Sequence, residues 1–114
     1  MGTLCCQSIK LVEHPYATLG TKKLLTASTS SGDLDNDGDM DIVVANGRHW
    51  AEFNQVFFND GNGFFRRSKF LSKEATASYA TPLADLDNDG DLDIVVANDR
   101  TMNQVFFNDG KGNF

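Results

Sequence analysis

Two hexapeptides dominate the polarity pattern of this 114-residue chain: DIVVAN at 41–46 and again at 93–98. In each, one Ile, two Val and one Ala stand side by side with no polar residue between them. Such a run is too short for an ordinary helix and rich in β-branched side chains. It predicts a strand covered on both faces. QVFF at 55–58 and 104–107 has the same character, and both copies are followed by Asn-Asp-Gly. Those residues supply the positive φ of tight turns. The more polar GFFRRSKFL (63–71) predicts a fourth strand, while LLTASTSSG (24–32) and ASYATPLA (77–84) predict first strands. No segment carries a 3.6-residue period with caps. The pattern therefore predicts an all-β chain built from antiparallel units of four strands.

The units are copies of each other. DLDNDGDMDIVVAN (33–46) matches DLDNDGDLDIVVAN (85–98) at all but one position, and NQVFFNDGNGFF (54–65) matches NQVFFNDGKGNF (103–114) at ten of twelve. The offsets are 52 and 49 residues, because the first copy carries three more residues between the two blocks. A period near 50 residues belongs to propellers and related arrays, in which each repeat is one blade. Turns alternate between the two ends of a four-stranded blade. The Asp-rich 1–2 loop and the NDG 3–4 turn therefore share one end, and the 2–3 loop (47–53) and 4–1 loop (71–77) share the other. This reading divides the chain into an N-terminal strand and connector (1–23), a first blade (24–71) and a second blade (72–114) incomplete at its fourth strand. Residues 5–13 read as the fourth strand of a preceding or neighbouring blade.

The Asp-rich loops carry the candidate chemistry. Asp33, Asp35, Asp37, Asp39 and Asp41 stand at every second position, as do Asp85, Asp87, Asp89, Asp91 and Asp93. Asp, Asn and Gly are ordinary turn residues, which accounts for one or two of them. Five like charges along nine residues repel one another strongly unless a cation joins them. Calcium takes six to eight oxygens from carboxylates, carbonyls and water, whereas magnesium demands an octahedral site that keeps several waters. The spacing thus predicts two calcium ions per chain. Asp33, Asp35, Asp37 and Asp41 would offer carboxylates in the first loop, and Asp39 its backbone carbonyl. Asp85, Asp87, Asp89, Asp93 and the Asp91 carbonyl repeat the set. An EF-hand agrees at positions 1, 3, 5 and 6 but needs a Glu at position 12 and a helix after it. Here Val44 and Val96 hold that position and a strand follows.

DLDNDGDLDIVVAN followed by NQVFFNDGNGFF resembles the FG-GAP repeat, often called VCBS in bacteria, and is similar to the calcium-binding blades of the integrin α-subunit propeller. The resemblance covers residues 24–114. It implies four-stranded propeller blades, usually seven, with calcium at one end, and an extracellular, periplasmic or cell-surface setting. It also implies adhesion or scaffolding, or a place as the accessory propeller of a larger extracellular enzyme such as a polysaccharide lyase. This chain holds two repeats, and about three or more are needed to bury the faces of such an array. Two arrangements meet that need: the chain is part of a longer propeller, or copies close a ring as a trimer or tetramer.

Charge sharpens the picture. The two loops hold ten of the sixteen acidic residues, so the remaining six face ten Lys and Arg and the rest of the chain is net positive by four. Focused acidity of this kind suits cations. No basic stripe points to nucleic acid, and no apolar run approaches the roughly 18 residues of a membrane span. Gly2, Cys5 and Cys6 open an acylation reading that lacks the Ser or Thr expected at position 6. The adjacent cysteines otherwise read as small strand residues. No nucleophile–base pair is evident, and His14 and His49 lie in no catalytic motif, so the sequence predicts a non-catalytic module. In the inserted 2–3 loop, Arg48, His49 and Trp50, together with Arg100 in the second copy, are candidates for contact with a protein or glycan ligand. The alternative for Trp50 is a place between blades.

Overall fold

The computed structural model describes Val12 and residues 18–114. The predicted strand at 5–13, the cysteine pair, Gly2 and His14 lie outside the described residues, apart from Val12.

Every regular element among the described residues is a strand. Strands β1 (Thr26–Gly32), β2 (Asp41–Asn46), β3 (Gln55–Phe58) and β4 (Arg67–Phe70) form an antiparallel sheet in that order. In the second sheet β5 (Ser78–Ala80) and β6 (Leu83–Ala84) both pair with one edge of β7 (Asp93–Asn98), and β8 (Gln104–Phe106) pairs with the other. β5 and β6 are two pieces of the single first strand that the sequence predicts at 77–84. Pro82 falls at the break and has no N–H for the ladder, yet its carbonyl still accepts from Val95 N at 3.0 Å. The fourth strand of the first sheet is shorter than expected. Residues 59–64 fold into a turn in which Asn59 and Asp60 side chains accept from the backbone of Gly61, Asn62, Gly63 and Phe64, and the ladder resumes only at Arg67.

The core lies between the sheets. Leu34, Val43 and Val56 of the first unit and Ile94 and Val96 of the second are fully buried in one cluster, joined by Phe58 and Leu71. Each such side chain contributes about 1.5–3 kcal/mol of burial. Alternation along β2 sends Val43 inward to the second sheet and Val44 to the far face. The four successive apolar residues thus serve two faces, as an enclosed strand does. At the end of the sheets remote from the Asp loops, Glu52 and Thr76 exchange backbone bonds at 3.2 and 3.0 Å, joining the 2–3 loop to the 4–1 loop.

Candidate metal centres

Each Asp-rich loop winds around its own first carboxylate. In the loop between β1 and β2, Asp33 accepts from Asp37 N (3.2 Å) and Gly38 N (2.9 Å), and Asp39 N donates to Asp37 Oδ1 (2.9 Å). Asn36 and Gly38 take the positive φ values (57° and 93°) that close so tight a curve. The loop between β6 and β7 repeats this with Asp85, Asp89 and Gly90 at 3.2 and 2.9 Å, and with Asn88 and Gly90 at φ 64° and 95°. Asp33, Asp35 and Asp37 consequently place carboxylate oxygens within 4.8 Å of one another, and so do Asp85, Asp87 and Asp89.

The other two aspartates of each loop do different work. Asp41 stands outside the oxygen cluster and is fully buried. Its Oδ2 accepts from Leu34 N at 2.8 Å and its Oδ1 from Asn59 N at 2.9 Å, tying the loop to the end of β3. Burial pushes the Asp41 carboxyl above its usual range, against the pull of those two N–H groups. Asp93 is bound in the same way by Leu86 N (2.8 Å) and Asn108 N (2.9 Å). The Asp39 and Asp91 carboxylates lie against Gly61 and Gly110 of the adjoining 3–4 turns, so closely that a Cβ on either glycine would come within 2.8 or 2.6 Å of an oxygen. In each unit the Asp-rich loop and the turn after the third strand therefore share one end of the sheet, as the strand count predicts.

The clusters fit a hard cation. Asp35 Oδ2 is ion-paired to Arg67 Nη2, while Asp35 Oδ1 is buried and has no hydrogen-bond partner. Among the described residues it is one of three such side-chain oxygens, and the others, on Ser28 and Thr81, are uncharged hydroxyls. A buried carboxylate oxygen without a partner is costly unless an ion takes it. In the second loop the Asp87 carboxyl sits above its ordinary range, through desolvation and then through the hydrogen bond and charge of Asp89 beside it. A cation between them relieves that repulsion.

The 2–3 loops carry the remaining candidates. Trp50 is 71% exposed, so it does not pack between the two sheets. His49 beside it meets Tyr79 edge-on, with Nδ1 and Oη 3.2 Å apart. Arg48 stands in the same turn at φ 37°, whereas Arg100, at φ 59°, pairs with Asp99 at 3.6 Å. No hydrogen bond or ion pair joins Arg100 to the 48–50 turn among the described residues.

Several polar residues that bind the two units together escape the motif reading. Asn36 Nδ2 reaches Asp91 Oδ1 (2.7 Å) and Gly110 O (3.0 Å), Asn108 Nδ2 reaches Leu34 O (2.8 Å), and Asn54 Nδ2 reaches Ser78 Oγ (2.8 Å). Their signal in the sequence is that each Asn recurs in both copies, as Asn88, Asn59 and Asn103.

Two successive antiparallel units, the first of four strands and the second of β5–β8 with its first strand broken in two, each with an Asp-rich 1–2 loop and a Gly-rich turn after the third strand at one end, define a pair of propeller-type blades. The chain belongs to the FG-GAP-like repeat family, which it matches over residues 33–96, more than half its length. No curated protein and no solved structure matches it. Among the described residues, no helix is long and apolar enough to cross a membrane.

Proposed function

We propose that this chain is a calcium-stabilised propeller module, non-catalytic, that acts outside the cytoplasm in protein or glycan binding or as a scaffold between such binders. The observation that carries the calcium reading is the buried, unpartnered Asp35 Oδ1 within a cluster of carboxylates. Asp33, Asp35 and Asp37 would hold one ion and Asp85, Asp87 and Asp89 the second. Each bound oxygen of Asp41 and Asp93 accepts one N–H among the described residues and keeps a further lone pair. The Asp39 and Asp91 carbonyls complete the sets that the spacing suggests. The ions neutralise crowded carboxylates and bind only the folded loops, so they stabilise by linkage, by about 2.7 kcal/mol per site at a hundredfold excess over Kd. Calorimetric titration of the metal-stripped protein should give two calcium ions per chain, and a chelator should lower the melting temperature. Unchanged melting in chelator would overturn the assignment.

The ligand-facing end, on this reading, is the end opposite the ions. The exposed indole of Trp50 and the His49–Tyr79 pair support a stacking platform, with Arg48 and Arg100 as charge. Loss of glycan-array or pull-down binding in Trp50→Ala, with melting unchanged, would support it, and retention of binding would remove Trp50 from the site.

A further inference from the structure

Inside the chain the two sheets meet through unlike faces. The first sheet offers Val56, Phe58 and, from its loop, Leu34; the second offers Ile94, Val96 and Leu92. Every one of these residues has a repeat equivalent on an outer face. Leu86, Val105 and Phe107 on the outer side of the second sheet correspond to Leu34, Val56 and Phe58. Ile42, Val44 and Met40 on the outer side of the first sheet correspond to Ile94, Val96 and Leu92. The two outer sides of the described sheets therefore carry the two halves of an interface whose completed version is visible between them.

Exposure follows this correspondence at the second sheet and at Met40, whereas Val44 is itself buried, at 5% exposed. Leu34, Val56 and Phe58 are 0, 0 and 3% exposed, while Leu86, Val105 and Phe107 are 47, 48 and 55% exposed. Met40 is 56% exposed, whereas Leu92 lies on the core cluster. The outer side of the first sheet also holds an open hollow of about 650 Å³ with Val44, Phe53, Phe57 and Phe70 in its walls.

Polar groups repeat the match. Asn108 Nδ2 binds Leu34 O and Asn54 Nδ2 binds Ser78 Oγ across the internal junction, both at 2.8 Å. In a repeated junction Asn59 would meet Leu86 O, and Asn103 the Thr26 hydroxyl. The Thr26 hydroxyl is already held towards Asn46 at 3.0 Å, as Ser78 is held towards Asn98 at 2.7 Å. Asn36 crosses to Asp91 (2.7 Å), whereas its equivalent Asn88 has no side-chain partner among the described residues. Shape agrees too. Gly112 lies so close to the Phe58 ring that a Cβ there would come within 2.5 Å of it, yet a Cβ on its equivalent Gly63 would meet nothing within 4 Å. Gly63 is open where the Phe107 ring of another molecule would lie.

We propose that the chain binds copies of itself head to tail, with the outer face of its second sheet docking on the outer face of the first sheet of the next copy. The occupant is a second copy because the chain itself carries the complementary face, and the new junction continues the one already built within it. Contacts between unlike faces close into rings when the rotation per copy allows. Closed propellers have about four to eight blades, so rings of two, three or four copies, with four, six or eight blades, are the closed forms.

The test is size-exclusion chromatography with light scattering on the full 114-residue chain at about 100 μM, in calcium. Two, three or four times the chain mass is expected. Val105→Arg breaks the leading face. Gly63→Asn breaks the trailing face while keeping a residue that tolerates positive φ. Each variant alone should run as a monomer, and an equimolar mixture should give a one-to-one dimer and nothing larger, because each pair retains one intact junction. Circular dichroism and melting curves identify folded variants, and Leu86→Arg replaces Val105→Arg should the latter not fold. A monomeric wild-type chain, a folded variant that keeps the wild-type mass, or a mixture that grows beyond a dimer would overturn the proposal.

Discussion

The loops at 33–41 and 85–93 differ at one residue, Met40 against Leu92, and share their internal hydrogen bonds, save that Asp89 N also donates to Asp87 Oδ1 at 3.3 Å. Their surroundings are unlike. The first loop is roofed: Asn36 is held by Asp91 and Gly110 of the second unit, Leu34 O accepts from Asn108, and Arg67 of β4 reaches Asp35 while its guanidinium lies 3.9 Å above the Phe58 ring. The second loop has none of these neighbours among the described residues, and Asp85, Asp87 and Asp89 are all exposed. One sequence thus gives one loop geometry but two environments. The motif governs the fold of the loop, whereas the adjoining blade and β4 of the loop's own sheet govern its burial and its electrostatics.

The largest expected difference tests burial. Leu34 and Leu86 hold the same place in the two loops but are 0 and 47% exposed. Leu34→Ala should cost about 3 kcal/mol by urea denaturation, since it leaves a cavity between the sheets. Leu86→Ala should stay within about 0.5 kcal/mol, as expected of a surface truncation. Both are measured in a Val105→Arg background, which keeps copies apart. Equal costs would mean that the second loop is as well covered as the first, and the comparison would fall.

The next difference concerns charge. Arg67 places a cation at Asp35, and the second loop has no such neighbour among the described residues. Two positive ions about 6 Å apart repel by about 1–5 kcal/mol for a divalent partner, depending on the effective dielectric, and solvent keeps this exposed arginine near the low end. Arg67→Gln should therefore tighten calcium at the first loop by about tenfold, equivalent to about 1.4 kcal/mol, and leave the second unchanged. Calorimetric titration resolves the two. Weaker binding at the first loop would show that Arg67 acts chiefly by orienting Asp35.

The same contrast marks where sequence reasoning stops. β2, β3 and β7 were legible because IVVA and QVFF are apolar on consecutive positions, and both loops were legible because Asp spacing and Gly encode a tight local turn. The break between β5 and β6 was written in Pro82, although the pattern of 77–84 reads as one strand. What was not legible depends on partners far along the chain. Asn108 meets Leu34 across 74 residues, and Arg67 meets Asp35 across 32. No spacing rule encodes either contact. The exposure of Trp50 belongs here as well, since it depends on the course of a three-residue insertion and on what Tyr79 does opposite it.

The smallest difference lies in the 3–4 turns. In the second turn Asp109 accepts from Lys111 N (2.9 Å), Asn113 N (3.2 Å) and Asn113 Nδ2 (2.9 Å), and the Asn113 amide, followed by these N–H groups, holds its carboxyl below the usual range. In the first turn the residue equivalent to Asn113 is Phe64, which has no side-chain donor. A carboxyl whose folded pKa lies below its unfolded value adds stability that is present above the unfolded value and is lost as pH falls through the folded one. Asn113→Phe should therefore raise the Asp109 pKa towards its ordinary value, read by carbon NMR of the carboxyl. It should also flatten the fall in melting temperature below about pH 4, the ordinary range of an Asp carboxyl. Because Asp109 is fully exposed, the effect on melting at neutral pH should be slight. An unmoved Asp109 titration in the variant would show that the backbone N–H groups alone set it, and the two turns would then be electrostatically alike.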